Sequence, residues 1–561
     1  MNFRKIDFLI ALVLGCVVSA SAYAAPDVVP PTNIVDDASI QMNRTRQYLE
    51  RERVARQIKE DQARMHENLE TEKAPQQAEV QDAISFKLTK IEVGKSLALS
   101  DNELAGIINP YLDKDVTIND VYDIVGKIND LYNEKGYITC RAFLPQQTVI
   151  GGVVKLLLVE GTTGNTTVIG NKNVKSKYIT DRMNLTEGEL ANIHDLNKDI
   201  LLFNATNSTQ LRIIMKAGEK PGTTDYELVA YEPKNISWTT LVDNAGSYTS
   251  GQYRFGLFMN TKSLSGHGDN LSLGTILSEG TKAANAYYSR SIGHSGTKLN
   301  LLYSTNSVKT TEGTWKDSIK GHANSYGIGV TQPLYVDERM RSEVIFDYNH
   351  QNSTSDLVLQ GTRFSIVDDT VKDFTLAYAQ TNYGHNHIIY QKHSYVFGNS
   401  NSSPEMSLSS SRDYGFYKFN GIYQKAYTNN HLLNVRADAQ WSSTKGLVSA
   451  RQFYMGGMYS VRGYKENYLG GDSGFVLSTE YQVPVFDNNT AVFTFLDYGH
   501  VYDNGQSADA DRILASVGFG IKTTINNKYS GTLSIGLPLR RDFQSEKVSK
   551  SRWHFMISGL F

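Results

Sequence analysis

The feature that most constrains the fold is a long series of segments, from Ile236 to Phe561, in which apolar and polar residues alternate. A period of two is that of a β-strand whose two faces meet different surroundings. Sixteen such segments can be counted, and a closed bacterial membrane barrel requires an even number of strands. The pattern predicts a β-rich membrane protein with a 16-stranded antiparallel transmembrane β-barrel over residues 234–561. The segments begin near Ile236, Gly251, Asn270, Ala284, Lys298, His322, Arg341, Lys372, His387, Tyr414, His431, Gly474, Ala491, Arg512, Ser530 and Ser551.

The lengths of the connections test this count independently. Short turns follow even-numbered segments, and longer connections follow odd-numbered ones. In bacterial barrels the long loops face outside the cell, so all the long connections are expected on that side. They span residues 307–321, 351–371, 399–412 and 443–473.

The composition agrees with a barrel and excludes other classes. The mean hydropathy is -0.36, and no run of about 18 apolar residues follows the N-terminal region, so no membrane helix is predicted. A barrel hides its membrane signal because alternate residues alone face lipid. The net charge of -2 argues against a nucleic-acid partner.

The N-terminus reads as a secretory signal peptide over residues 1–24. Two basic residues precede the apolar stretch 8–18, and Ala22-Tyr23-Ala24 forms an A-x-A cleavage site. Cys16 would leave with this peptide, and Cys140 would remain alone. Neither a disulfide nor a cysteine-based metal site is therefore expected.

A polar helix is predicted next, over residues 36–70. The stretch lacks Pro and Gly, is rich in Arg and Glu, and is polar nearly all round. Such a helix needs solvent, a partner or a wet channel around it, so a solvated arm and a segment inside a pore are both open. Residues 71–85, with Pro75 and several Gln, read as a linker.

Two units of the same β-α-α-β-β order follow, over residues 86–161 and 162–233. In the first, strands are predicted at 86–93, 137–144 and 153–160, around helices at 101–108 and 116–135.

Two neighbouring segments near the C-terminus carry acidic residues on the face that points away from lipid. Phe495, Asp497 and Gly499 share one face, and Glu480 lies on the corresponding face of the preceding segment. A poorly hydrated carboxylate needs a cationic partner. Arg462, on the long connection just before them, is the candidate.

That connection contains Val461-Arg462-Gly463-Tyr464, and the later strand contains Phe495-x-Asp497-x-Gly499. Together they resemble the VRG(F/Y) loop motif and the inner-wall strand motif of the outer-membrane transporters of two-partner secretion. These transporters share a superfamily with barrel-assembly proteins. The resemblance implies that residues 443–473 form the sixth extracellular loop and fold back into the barrel, so that Arg462 contacts Asp497. Glu480 is a possible further partner in the lumen.

The same resemblance assigns the other segments. Residues 36–70 would be a helix that plugs the lumen, and residues 86–161 and 162–233 would be two POTRA domains in the periplasm. The last strand ends in an aromatic residue, Phe561, which resembles the signal that the barrel-assembly machinery reads during biogenesis.

The function implied by the resemblance is that of a translocation pore, surrounded by the lipid of the outer membrane of a Gram-negative bacterium. Its POTRA domains would recognise a large secreted exoprotein (an adhesin, a haemolysin or a contact-dependent growth-inhibition toxin) and export it without nucleotide. An alternative is a barrel-assembly or insertion factor of the same superfamily, although those proteins usually carry more POTRA domains and lack the N-terminal helix. A passive porin or receptor would not need two periplasmic domains.

No motif for catalysis is present in the sequence. Gly293-His294-Ser295-Gly296 is a turn rather than a nucleophile elbow. There is no phosphate-binding Gly loop with Lys, no HExxH and no metal-ligand spacing. We therefore expect no enzyme activity, cofactor or metal.

Overall fold

The computed structural model describes residues 38–65, 85–313, 315–403, 410–486, 489–504, 512–526, 528–543 and 547–561. The predicted signal peptide, the linker up to residue 84 and both ends of the predicted helix 36–70 lie outside these ranges. No helix in the described ranges is long and apolar enough to cross a membrane.

A long helix and two similar α/β units precede the barrel. The helix is α1, Ala38–Met65. The first unit contains β1 (Phe86–Lys87), β2 (Lys90–Val93), α2 (Asp101–Ile108), β3 (Asp115–Val116), α3 (Ile118–Glu134), β4 (Cys140–Phe143) and β5 (Val153–Glu160). The second contains β6 (Thr162–Ile169), α4 (Ser176–Thr180), α5 (Ile193–Thr206), β7 (Gln210–Ala217) and β8 (Thr223–Tyr231). Each unit has a three-stranded sheet whose central strand is its last, β5 or β8. This strand runs parallel to β2 or β6 and antiparallel to β4 or β7.

Sixteen strands close into an antiparallel barrel, which confirms the predicted fold class. The last strand pairs with the first, and the eleventh and twelfth are joined by a long loop that holds a two-stranded ribbon, β20 (Phe453–Met455) and β21 (Leu469–Gly471). The barrel strands are β9 (Ile236–Asp243), β10 (Arg254–Lys262), β11 (Asn270–Leu277), β12 (Thr281–Ser291), β13 (Lys298–Lys309), β14 (Ile319–Val336), β15 (Met340–Leu359), β16 (Thr362–Tyr383), β17 (His387–Ser402), β18 (Ser410–Ala426), β19 (Leu432–Ser442), β22 (Ser473–Val485), β23 (Thr490–Tyr502), β24 (Ile513–Ile525), β25 (Tyr529–Pro538) and β26 (Arg552–Leu560).

Side chains alternate between the two faces of the barrel wall. On β23, Leu496 is 53% exposed on the outer face while its neighbours Phe495 and Asp497 are buried on the inner one. The outer face is apolar, as lipid requires, and the inner face carries the charged residues.

Five neighbouring strands, β14 to β18, are taller than the others. They have 16 to 22 residues, against 8 to 13 in the remaining barrel strands. The predicted loop 351–371 is wrong, because β15 and β16 run through it and turn at Gln360 and Gly361. Since about ten residues span the bilayer, roughly half of this hairpin stands beyond it. Neither of its faces meets lipid there, so polar residues occupy both and the alternation is lost.

Helix α1 lies inside the barrel. Ala38 and Met42 pack against Ala323 on the extracellular part of β14, and Ile58 packs against Tyr383 at the periplasmic end of β16. The helix therefore runs through the lumen, with its N-terminal end towards the outside.

Candidate functional site

The long loop, residues 443–472, enters the lumen from a fixed base. The buried carboxylate of Asp472 accepts hydrogen bonds from the backbone N–H groups of Gly446 and Leu447, at 2.8 and 2.7 Å. The side-chain amide of Gln440, on β19, donates to the Asp472 carbonyl at 3.0 Å. The two ends of the loop are thus held together where they leave the wall.

Arg462 and Asp497 form the central contact of the site. The guanidinium Nε lies 2.8 Å from Oδ2 of Asp497, and Nη2 lies 2.9 Å from Oδ1. The Arg462 backbone N–H donates to the same carboxylate at 3.0 Å, and the Ser478 hydroxyl donates at 2.6 Å. Asp497 is fully buried. Only arginine can make this forked contact, because a lysine ammonium is a point charge.

Glu480 and Phe495 complete the surroundings of the guanidinium. Nη1 of Arg462 lies 2.8 Å from Oε2 of Glu480, and its Cζ lies 3.5 Å from the centre of the Phe495 ring. A cation over an aromatic face is attracted by the ring quadrupole. The Lys522 ammonium lies 3.4 Å from the second oxygen of Glu480. Two carboxylates therefore face two cations on the inner wall.

Gly463 brings the backbone of the loop against the backbone of the wall. It has a φ of +92°, and its N–H donates to Nε2 of His554 at 3.0 Å. A Cβ added to Gly536, on β25, would lie 2.4 Å from the Gly463 nitrogen. A side chain at either position would separate the two segments.

Val461 and Tyr464, which flank Arg462 and Gly463, complete the contact of the loop with the wall. The Tyr464 hydroxyl lies 2.9 Å from the carbonyl oxygen of Ala515 and 2.8 Å from that of Arg540, and its ring is fully buried. Val461 packs against Gly499, where an added Cβ would lie 3.1 Å from a Val461 methyl group.

The structure thus brings together every predicted residue of the two motifs and Glu480. Phe561 lies elsewhere, at the seam of the barrel, where it exchanges two backbone hydrogen bonds with Trp238 on the first strand, at 2.8 and 3.0 Å.

The lumen helix α1 is held to the wall by charged contacts as well as by the small apolar clusters described above. The Glu50 carboxylate lies 2.5 Å from the Lys392 ammonium, and the Arg51 guanidinium lies 3.0 Å from Asp438. Arg51 also donates to the Tyr459 carbonyl of the long loop at 2.7 Å. Helix, loop and wall therefore meet at one residue.

A comparison with protein-family models shows which family the chain belongs to. The model of the haemolysin secretion/activation protein ShlB/FhaC/HecB matches residues 222–523, which is more than half of the chain. The chain belongs to this family. A second model, the POTRA domain of ShlB type, matches residues 86–161. The protein is therefore a two-partner secretion transporter of the outer membrane, with its POTRA domains in the periplasm, and the match favours secretion over the barrel-assembly alternative.

Curated relatives of the transporter match over most of their length. The heme/hemopexin transporter protein HuxB of Haemophilus influenzae (strain 86-028NP) is 24% identical over 502 residues, which cover 83% of this chain and 86% of the relative. The outer membrane transporter CdiB of Escherichia coli O6:K15:H31 is 22% identical over 472 residues, or 81% and 79% of the two chains.

Two solved structures share the transporter fold. CdiB from Escherichia coli superposes with a TM-score of 0.66 at 19% identity, covering 97% of this chain and 100% of that one. CdiB from Acinetobacter baumannii gives 0.64 at 18% identity, covering 94% and 100%.

Sequence reasoning missed a buried ion pair in the transporter's first barrel hairpin. Nε and Nη2 of Arg254 lie 2.8 and 2.7 Å from the two carboxylate oxygens of Asp243, and both side chains are buried. The two residues are direct partners in the register of β9 and β10. Pairing the inward charges of adjacent strands would have found this contact.

A second missed pair joins the helix to the loop. The Arg44 guanidinium lies 3.0 Å from the Glu466 carboxylate, with side chains 8% and 3% exposed. No pattern in the sequence signals this pair, because its partners lie far apart and neither is on a strand.

The family consists of transporters rather than enzymes. Within the described residues, no group of three or more His, Cys, Asp or Glu is placed to hold a metal ion.

Proposed function

We propose that the transporter captures a large exoprotein through its two periplasmic units and threads it, unfolded, through the lumen that α1 and the long loop occupy at rest. The observation that carries this proposal is that the ion pairs between α1 and the wall remain partly exposed. The Glu50 and Arg51 side chains, which pair with Lys392 and Asp438 of the wall, are 43% and 28% exposed. In a wet channel such contacts can be exchanged for water, whereas a continuous apolar core would hold the helix permanently.

The first periplasmic unit supports the capture step. Its sheet exposes three apolar side chains on one face, namely Phe143 (46%), Leu157 (54%) and Val159 (46%). Strand β4 is an edge of this sheet. An open edge beside apolar side chains can bind an extended chain by strand addition, which tolerates many sequences.

The drive for export is proposed to come from the cargo. The sequence carries no phosphate-binding loop or catalytic motif. An exoprotein that folds outside cannot return through the pore, so folding makes the passage one-way. We propose cargo of the adhesin, haemolysin or growth-inhibition class, delivered by a transporter that itself catalyses no reaction.

Export and conductance, measured together, test the proposal. Deletion of residues 86–233 should abolish secretion of the co-expressed exoprotein while the barrel still forms a channel in planar bilayers. The double variant Phe143→Ser with Leu157→Ser should reduce secretion while the barrel assembles normally. Lys90→Ser, on the opposite edge strand β2, is its control. Undiminished secretion by the deletion variant would contradict capture by these units.

A further inference from the structure

The long loop carries a second buried arginine, Arg451, which precedes Arg462 in the loop. Its Nε lies 2.7 Å from Oδ2 of Asp373, and its Nη1 lies 2.9 Å from Oε1 of Gln351. The Tyr414 hydroxyl donates to the same Asp373 oxygen at 3.0 Å. The side chains of Arg451 and Asp373 are 8% and 6% exposed, so this contact is as enclosed as the one at Arg462.

An apolar cluster surrounds this second contact. Leu447 and Ala450 of the loop pack against Val371, Val396 and Phe416, and all five are buried. These wall residues lie on β16, β17 and β18, which belong to the tall part of the barrel (β14 to β18). The first half of the loop therefore packs against the tall part of the barrel.

The two arginines hold the loop to separate parts of the barrel. Asp373 is on the eighth barrel strand and Asp497 on the thirteenth, five strands further round. Between these strands, Gln440 on the eleventh donates to the Arg451 carbonyl at 2.8 Å. The loop therefore crosses part of the lumen, and neither contact can replace the other.

The lumen helix touches this second contact directly. The Asn43 side-chain amide donates to the Ala450 carbonyl at 2.7 Å, and the Arg46 guanidinium lies 3.1 Å from Oδ1 of Asn349 on β15. The N-terminal part of α1 thus packs beneath the same turn of the loop.

We propose that the ion pair of Arg451 and Asp373, called the latch below, holds residues 443–455 against the tall part of the barrel (β14 to β18). The latch closes the extracellular side of the pore and acts independently of the contact between Arg462 and Asp497. Arg451 is a positioning residue in this scheme, since it acts by placing the loop. The inference rests on the proposed route of the cargo through the lumen.

Loop position can be measured on intact cells without any cargo. Ala450 is 6% exposed, so in an Ala450→Cys variant a membrane-impermeant maleimide should react slowly. Adding Arg451→Ala or Asp373→Asn should accelerate labelling on the order of tenfold or more, because the turn would open to solvent. Arg363→Ala is the matched control, since Arg363 pairs with Asp356 on the same tall hairpin and lies 71% exposed. Equal labelling rates in all variants would overturn the proposal.

A double-mutant comparison tests whether the two residues act as a pair. Single-channel conductance should rise in Arg451→Ala and in Asp373→Ala, and the double variant should match either single one. Additive increases, or none, would refute the latch. Heat-modifiable migration on gels confirms assembly of each variant, and Arg451→Lys, which keeps the charge, serves where the alanine variant does not assemble. Loss of export with unchanged labelling would count against the latch and leave the proposed cargo route standing.

Discussion

Arg44 of the lumen helix and Glu466 of the long loop form an ion pair of 3.0 Å that is almost fully shielded from water. The same Glu466 carboxylate accepts a hydrogen bond from the Met458 backbone N–H at 2.7 Å. A helix that left the lumen would take with it the guanidinium that faces Glu466. We therefore expect helix and loop to be coupled energetically, because a buried charge that loses its partner is strongly destabilised.

Glu466→Gln tests this coupling. The amide removes the charge but keeps the shape, so the helix should be held less firmly and the channel should open more often in planar bilayers. Arg44→Gln should have the same effect, and the two substitutions together should add little. A variant channel that opens no more often than the unmodified one would show that this pair does not restrain the helix.

Deletion of residues 36–70 should raise single-channel conductance. The helix fills part of the lumen and its charges interact with the wall at Lys392 and Asp438. Arg56→Gln, at an exposed helix position, is the control and should leave conductance unchanged. An unaltered conductance after the deletion would mean that the helix does not plug the pore.

Arg462→Ala should abolish or cripple secretion while the barrel still assembles. The substitution leaves Asp497 buried without its cation, a loss of about 3–5 kcal/mol for the docked loop. Arg462→Lys should also be defective, because an ammonium cannot reproduce the forked contact. Secretion assays alongside heat-modifiable gel migration separate the two effects, and normal export by the alanine variant would refute the role proposed for Arg462.

Gly463→Ala should loosen the loop through steric contact as well as backbone strain. Gly361 provides a matched control, with a φ of +85° against +92° at Gly463 but no heavy atom within 4 Å of its added Cβ. Both substitutions should cost about 1 kcal/mol of backbone strain, whereas Gly463→Ala alone should expose the loop to protease. Equal proteolysis of the two variants would show that close approach to Gly536 is unimportant.

Cys140 should react slowly with thiol reagents in the folded transporter. Burial, and secondarily the charge of Glu160, raise the pKa of this thiol to about 11. At pH 8 about one thiol in a thousand would be ionised, against roughly a quarter at the ordinary pKa of about 8.5. Labelling by iodoacetamide should therefore accelerate on unfolding in urea and, in the folded state, rise with pH up to about 11. Rapid native labelling at pH 8 would contradict this burial.

The barrel and part of the site could be predicted from periodicity and motifs. Alternation placed Glu480, Phe495 and Asp497 on the inner face, since a side chain on a membrane strand has only two directions available. The tall hairpin was missed because residues 351–371 carry Ser, Thr, Asn and Asp on both faces, which resembles loop composition.

The contacts of Arg451 and Arg44 could not be predicted in the same way. Each joins a loop or a helix to a residue distant in the sequence, Asp373 and Glu466, and neither pair has a spacing that local geometry would dictate.

The sequence by itself determined the strand number, the inward face of those strands that alternate, and the presence of a charged helix. The first two follow from a local period of two residues, and the helix follows from a long stretch of helix-forming residues without Pro or Gly. The tertiary structure alone decided that α1 lies in the lumen and that the long loop is held at two separate places on the wall. A charged side chain can be stabilised by any opposite charge within reach. Which one it meets depends on how the closed barrel brings distant strands around a common interior.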